Sequence, residues 1–135
     1  MASLMRRGTE TKRNLLGAAL IGAAVIIGGT GIAGAAPAGC TTGGYVCLYR
    51  DDDYAGGQVT LTNSTTAIPI LGSYGFNDEA GSYWSNYGYD AAWFTDNNYT
   101  GRRVCINQNS NNHSFSFQDS DEASSTRKYT SATAC

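Results

Sequence analysis

The chain is poor in the residues that most often carry chemistry. Its 135 residues include a single histidine, His113. No nucleophile–histidine–acid grouping, metal-ligand cluster or phosphate-cradling loop accompanies that histidine. There is also no Cys-x-x-Cys pair, so Cys40, Cys47, Cys105 and Cys135 lack the spacing of a zinc site. An enzyme is therefore not expected, no cofactor is required, and His113 reads as a surface residue in an Asn/Ser-rich stretch. Beyond residue 35 there is no methionine, and the basic residues are only Arg50, Arg102, Arg103, Arg127 and Lys128, against ten acids, for a net charge of −5. Such a surface is a poor partner for nucleic acid, whose phosphates supply most of the affinity when they are neutralised. No segment after the N-terminal region has the periodicity of a helix longer than about a turn.

What is present begins with an export pattern. Arg6, Arg7, Lys12 and Arg13 precede a run from Leu15 to Gly29 without a charge, and Ala33-Gly34-Ala35 offers the small residues that signal peptidase accepts. Residues 1–35 read as a signal peptide, with a retained anchor as the competing reading of the same run. Ala38-Gly39-Cys40 is like the end of a lipobox, but Pro37 stands where such boxes carry leucine. Residues 36–135 then form a single domain of 100 residues, secreted, monomeric and off the membrane. Four cysteines in a small exported domain imply two disulfides. Of three possible pairings, Cys40–Cys47 with Cys105–Cys135 is favoured, because the first closes a local loop and the second ties down the C-terminus.

Short apolar or alternating runs separated by Gly, Asn, Asp and Ser predict an all-β domain. The expected strands are Tyr45–Tyr49, Gln58–Thr62, Ala67–Leu71, Ser82–Trp84, Ala92–Thr95, Arg103–Ile106 and Ser114–Phe117, with residues 107–112 as a polar turn. Two halves, about 45–86 and 89–129, repeat one pattern. In each, an aromatic is followed five residues later by Tyr and two after that by Gly: Tyr49, Tyr54 and Gly56, then Phe94, Tyr99 and Gly101. The glycine permits the sharp fold of the hairpin and the aromatics pack over it. Downstream, Asp78-Glu79-Ala80-Gly81-Ser82 is echoed by Asp121-Glu122-Ala123-Ser124-Ser125.

This repeated aromatic-x4-aromatic-x-Gly pattern, with its acid-x-x-Ser-Ser-like element, resembles the double Greek-key β-sandwich of βγ-crystallins. The cysteine pair seven apart and the Cys47-Leu48-Tyr49 opening are more narrowly similar to peptidase inhibitor family 36, which includes the streptomycete metalloproteinase inhibitor. The resemblance implies a secreted inhibitor whose partner is an extracellular, thermolysin-like metalloprotease. It places the contact at Arg103, Val104, Cys105 and Ile106, with the substrate-like bond between Cys105 and Ile106 and Ile106 filling an apolar pocket; the competing reading makes Cys105 an ordinary structural cysteine and Ile106 a core strand residue. One departure is Ser110, where the family prototype closes its loop with a cysteine.

The crystallin resemblance also implies oxygen-rich calcium sites, suited to a hard cation. The positions carried over are Asp78, Ser82, Asp121, Ser124 and Ser125. The first copy has Gly81 where a hydroxyl is needed, and the second begins with Ser120, so calcium binding is expected to be weak. A hairpin-closing role for the serines is the competing reading, and a calcium-stabilised structural module or a killer-toxin-like antimicrobial protein are the alternatives to inhibition. Asp51-Asp52-Asp53 reads as a solvated turn. Tyr83, Trp84, Tyr87 and Tyr89 read as the seam between the halves or as a stacking surface.

Overall fold

The computed structural model describes residues 34–135, so residues 1–33 of the expected signal peptide 1–35 lie outside the described residues. Eight short strands form two four-stranded antiparallel sheets: β1 (Val46–Tyr49), β2 (Gln58–Leu61), β3 (Ala67–Ile68), β4 (Ser82–Ser85), β5 (Ala91–Phe94), β6 (Arg103–Ile106), β7 (Asn111–Asn112) and β8 (Ser125–Lys128). The sheets run β2-β1-β4-β7 and β3-β8-β5-β6. Each half therefore lends its third strand to the other: β3 pairs with β8, and β7 with β4. This exchange is the double Greek key, and it makes the two motifs one folding unit.

The strand sequences explain how the layers pack. Val46 and Leu48 of β1 face inward with Val59, Leu61, Ala91, Trp93 and Ile106, forming the core between the sheets. Residues of the opposite face, Cys47 and Tyr49, are also buried, in a second cluster with Cys40 and Trp84. Neighbouring Ala36 and Tyr45 cover that face. With both sides covered, β1 and β5 are buried at every position, which is why they read as continuous apolar runs rather than alternating ones.

The two hairpins are near copies. Between β1 and β2, Asp53 and Tyr54 adopt left-handed backbone angles (φ 55° and 61°); between β5 and β6, Asn98 and Tyr99 do the same (φ 58° and 62°). A tyrosine rarely accepts that conformation. It is held here because the Tyr54 amide donates to Ser82 Oγ at 3.1 Å and the Tyr99 amide to Ser125 Oγ at 3.0 Å. Each ring also sits edge-on to its partner aromatic, Tyr49–Tyr54 at 5.8 Å and Phe94–Tyr99 at 6.0 Å. Gly56 and Gly101 complete the folds at φ 73° and 74°. A Cβ there would come within 2.5 Å of Asp51 Oδ2 and 2.4 Å of Thr95 Oγ1, respectively.

Three elements differ from the sequence expectation. Ser114–Phe117 is not a strand; the pairing segment lies earlier, at Asn111–Asn112, inside the stretch expected to be a turn. Strand β8, Ser125–Lys128, is central to its sheet yet carries no apolar residue. It is stabilised by polar contacts instead. The Lys128 ammonium donates to Gly44 O at 2.6 Å and Thr62 O at 3.0 Å, and lies 4.1 Å from the centre of the Tyr87 ring. Burial pushes its pKa below the ordinary 10.5. The expected strand Ala67–Leu71 stops at Ile68, because Pro69 has no amide to donate.

Candidate functional site

Strand β6 carries the expected contact segment and lies at the edge of its sheet, paired only with β5. Its side chains alternate. Arg103 and Cys105 sit opposite Phe94 and Ala92 on the outer face, while Val104 and Ile106 sit opposite Trp93 and Ala91 toward the core. Arg103 is exposed and Val104 and Cys105 are half-buried, whereas Ile106 has 0% exposure. In this conformation Ile106 anchors the strand from beneath and its side chain is not presented to a partner. The sequence pattern carried that signal, since Val104 and Ile106 are two apart and share one face of a strand.

The edge strand is pinned at both ends. Cys105 is bonded to Cys135, and Cys40 to Cys47. Arg103 Nη1 donates to Ala134 O at 3.3 Å, so the C-terminal tail lies against the outer side of β6. Asp90, 3% exposed, accepts from the backbone amides of Gln108 at 3.2 Å and Cys135 at 3.0 Å. One buried carboxylate thus fixes both the segment leaving β6 and the tail bonded to it. Nothing in the sequence marked Asp90, whose two partners lie 18 and 45 residues away. Ser110, at the position of the missing cysteine, accepts from the Tyr83 hydroxyl at 3.0 Å and donates to Asn107 O at 2.6 Å. Those bonds take over part of the bracing that a local disulfide would give.

The residues carried over for calcium are divided by the fold. Ser82 and Ser125 close the hairpins, donating to Asp51 O and Asp96 O at 2.6 Å each while accepting the tyrosine amides. Asp78 and Ser124 meet across the two motifs, with the hydroxyl donating to Asp78 Oδ1 at 3.0 Å. The matching position for Asp121 is Gly81, where a Cβ would lie 2.7 Å from Arg50 O, so the chain leaves no room for a serine. One half-site has a carboxylate and a hydroxyl; the other has Asp121 alone. Among the described residues no group of three His, Cys, Asp or Glu side chains converges.

The remaining candidates resolve simply. Tyr83 and Trp84 are buried, Tyr83 against Phe115 and Trp84 against Tyr54. Tyr87 stacks edge-on with Tyr89 at 5.6 Å, and only Tyr89 is exposed. These four therefore form no continuous stacking surface. Asp51, Asp52 and Asp53 are exposed, and Asp53 pairs with His113 Nδ1 at 3.3 Å. Among the described residues no helix is long and apolar enough to cross a membrane.

Two exchanged Greek keys, tyrosine-closed hairpins and interlocked acidic loops define a βγ-crystallin-like fold. The chain is similar in structure to a βγ-crystallin from Ciona intestinalis (TM-score 0.56, 22% identity, covering 64% of this chain and 100% of that one). Similar likenesses hold for βγ-crystallin domains from Flavobacterium johnsoniae (0.52, 28%, 62% and 92%) and Clostridium beijerinckii (0.53, 22%, 62% and 95%). No match was found among curated proteins. Residues 33–106 match the model of peptidase inhibitor family I36, and the chain belongs to that family. The matched span ends at Ile106, the last residue of β6. Family and fold together support a peptidase as the partner and a role other than catalysis.

Proposed function

We propose that this protein is a secreted inhibitor of thermolysin-like metalloproteases that docks through the edge strand Arg103–Ile106. The observation that carries the reading is that the inhibitor-family match runs into an edge strand whose outer face is disulfide-bonded to the chain terminus. Peptidases hold their substrates as extended strands, and an edge strand offers that backbone shape ready-made. Pinning at Cys105 and Asp90 lowers the entropy lost on docking. In this reading Arg103 and Cys105 of the outer face and the free backbone edge of the strand meet the peptidase, and Val104 and Ile106 keep the strand seated. The test is titration of the oxidised protein against a panel of metallo-, serine and cysteine peptidases, with Arg103→Glu beside it. Saturable inhibition of the zinc enzymes, weakened in a variant that melts normally, supports the reading. Inhibition of another class alone would reassign the target, and no inhibition would remove the reading.

A second reading is favoured by the Asp78–Ser124 contact. Calcium binds weakly at that half-site, with Asp78 and Ser124 as protein ligands and most of its coordination left to water and backbone oxygens. The effect is modest stabilisation of the interlocked loops, compatible with inhibition.

A further inference from the structure

The side chain of Phe117 is 99% exposed, well above Tyr74 at 60%, Tyr89 at 48% and Ile70 at 41%. Single exposed apolar residues are ordinary on protein surfaces, but this one stands on a turn held by a set of hydrogen bonds. The amides of Asp119 and Ser120 both donate to Ser116 O at 2.9 Å, closing the chain around Phe117. The Ser116 hydroxyl donates to Asp119 Oδ2 at 3.0 Å. From outside the turn, Arg102 pairs with the Asp119 carboxylate and donates through Nη2 to Gln118 O at 2.8 Å. Arg102 is itself positioned, its amide donating to Thr95 Oγ1 at 2.9 Å and its guanidinium lying 5.8 Å from the centre of the Trp93 ring. Two residues before Phe117, Phe115 is buried and stacks on Trp93 at 5.6 Å.

Phe117 is thus a large apolar side chain displayed on a hydrogen-bonded turn, an arrangement that lowers the entropy lost when a pocket closes over it. Its brace, Arg102, immediately precedes Arg103, so the turn adjoins the start of β6. Ile106, which the resemblance assigned to an apolar pocket, has no exposed surface with which to fill one. We propose that Phe117 is the specificity residue of this inhibitor, entering the apolar substrate pocket of the peptidase while β6 docks alongside. The proposal rests on the inhibitor reading above and names the side chain that does the recognising.

The inhibition constant of the oxidised protein, measured on the most strongly inhibited peptidase of the panel, tests it. Four proteins are compared: the natural sequence, Phe117→Ala, Phe117→Leu and Tyr74→Ala. Tyr74 is the control, because it is the exposed aromatic of the first motif's loop, where Arg50 donates to Gly75 O. Phe117→Ala is expected to weaken inhibition roughly tenfold to a hundredfold, the effect of truncating a central anchor. Phe117→Leu should retain most of the affinity, Tyr74→Ala should match the natural protein, and all should melt alike. Undiminished inhibition by Phe117→Ala would overturn the proposal, as would equal losses for Phe117→Ala and Tyr74→Ala. If Arg103→Glu weakens inhibition and Phe117→Ala does not, the docking strand stands and Phe117 does not. If the natural protein inhibits nothing, both fall.

Discussion

The hydroxyl of Ser82 accepts the backbone amide of Tyr54 at 3.1 Å, across 28 residues of sequence. The same hydroxyl donates to Asp51 O at 2.6 Å, so a single atom closes the first hairpin, and Ser125 repeats the arrangement in the second. Removing either serine leaves a part-buried donor and acceptor without partners while Tyr54 or Tyr99 keeps its strained backbone. Ser82→Ala and Ser125→Ala should each cost roughly 1–3 kcal/mol, measured by denaturant unfolding. Because the two hairpins lie in different motifs, the double variant should lose close to the sum.

Ile106 and Arg103 occupy opposite faces of one strand and should fail differently. Ile106→Ala removes a fully buried side chain and should destabilise by about 2–5 kcal/mol. An aspartate there would bury a charge and cost more. Arg103→Glu alters an exposed position and should leave stability within about 0.5 kcal/mol while weakening inhibition. Melting curves run beside inhibition assays separate the two effects.

The Cys105–Cys135 bridge closes a separation of 30 residues, against 7 for Cys40–Cys47. Loop-closure entropy assigns the longer bridge roughly 3–4 kcal/mol. Replacing both its cysteines by alanine should lower the melting temperature and release the tail from β6. Inhibition should weaken even at temperatures where the variant is fully folded, because the edge strand loses its outer clamp.

Alkaline conditions should destabilise the domain. Burial raises the pKa values of Tyr83, Tyr49, Tyr54 and Tyr87 above the ordinary 10.0, with the charge of Asp53 adding to the rise at Tyr54. Above pH 10.0 the unfolded chain releases these protons first, so the folded state binds more protons and stability falls as pH rises. Lys128 acts in the opposite direction: its lowered folded value makes stability rise with pH up to 10.5. Four tyrosines outweigh one lysine, so unfolding free energy should drop from about pH 10 upward. Tyrosinate absorbance followed alongside circular dichroism should show Tyr49 and Tyr83, the buried pair, ionising at higher pH than the exposed phenols.

Calcium should raise the melting temperature slightly, and only at millimolar concentrations, the weak end of calcium sites. Asp78→Ala should abolish the shift, and Asp121→Ala should leave it, because Asp121 faces Gly81 rather than a hydroxyl. A calorimetric scan with and without calcium distinguishes the two variants.

The parts of the molecule that were legible in the sequence are those set by local chemistry. Tyr54 and Gly56, with their counterparts Tyr99 and Gly101, announced the hairpins because a sharp turn needs glycine and an aromatic cover at fixed spacing. Strand β8 was not legible, because Lys128 is buried by carbonyls 84 and 66 residues away, a contact that leaves no local pattern. Phe115 and Phe117 were expected in one strand, Ser114–Phe117; the turn at Ser116–Asp119 sends the first into the core and the second into solvent. At the candidate site, the edge strand itself was legible. The inward aim of Ile106 was contained in the alternation of Val104 and Ile106, which is the reading of Ile106 as a core strand residue. Asp90 and the brace on Phe117 depend on folded distances and could not be read.

The docking of β6 is tested most directly by backbone hydrogen exchange of the inhibitor, free and saturated with an inhibited zinc peptidase. Slower exchange confined to residues 103–106 and the adjoining turn at Phe117, with the opposite edge at β2 unchanged, is the predicted result. A complex that forms while residues 103–106 exchange as in the free protein would contradict the account and place the contact elsewhere.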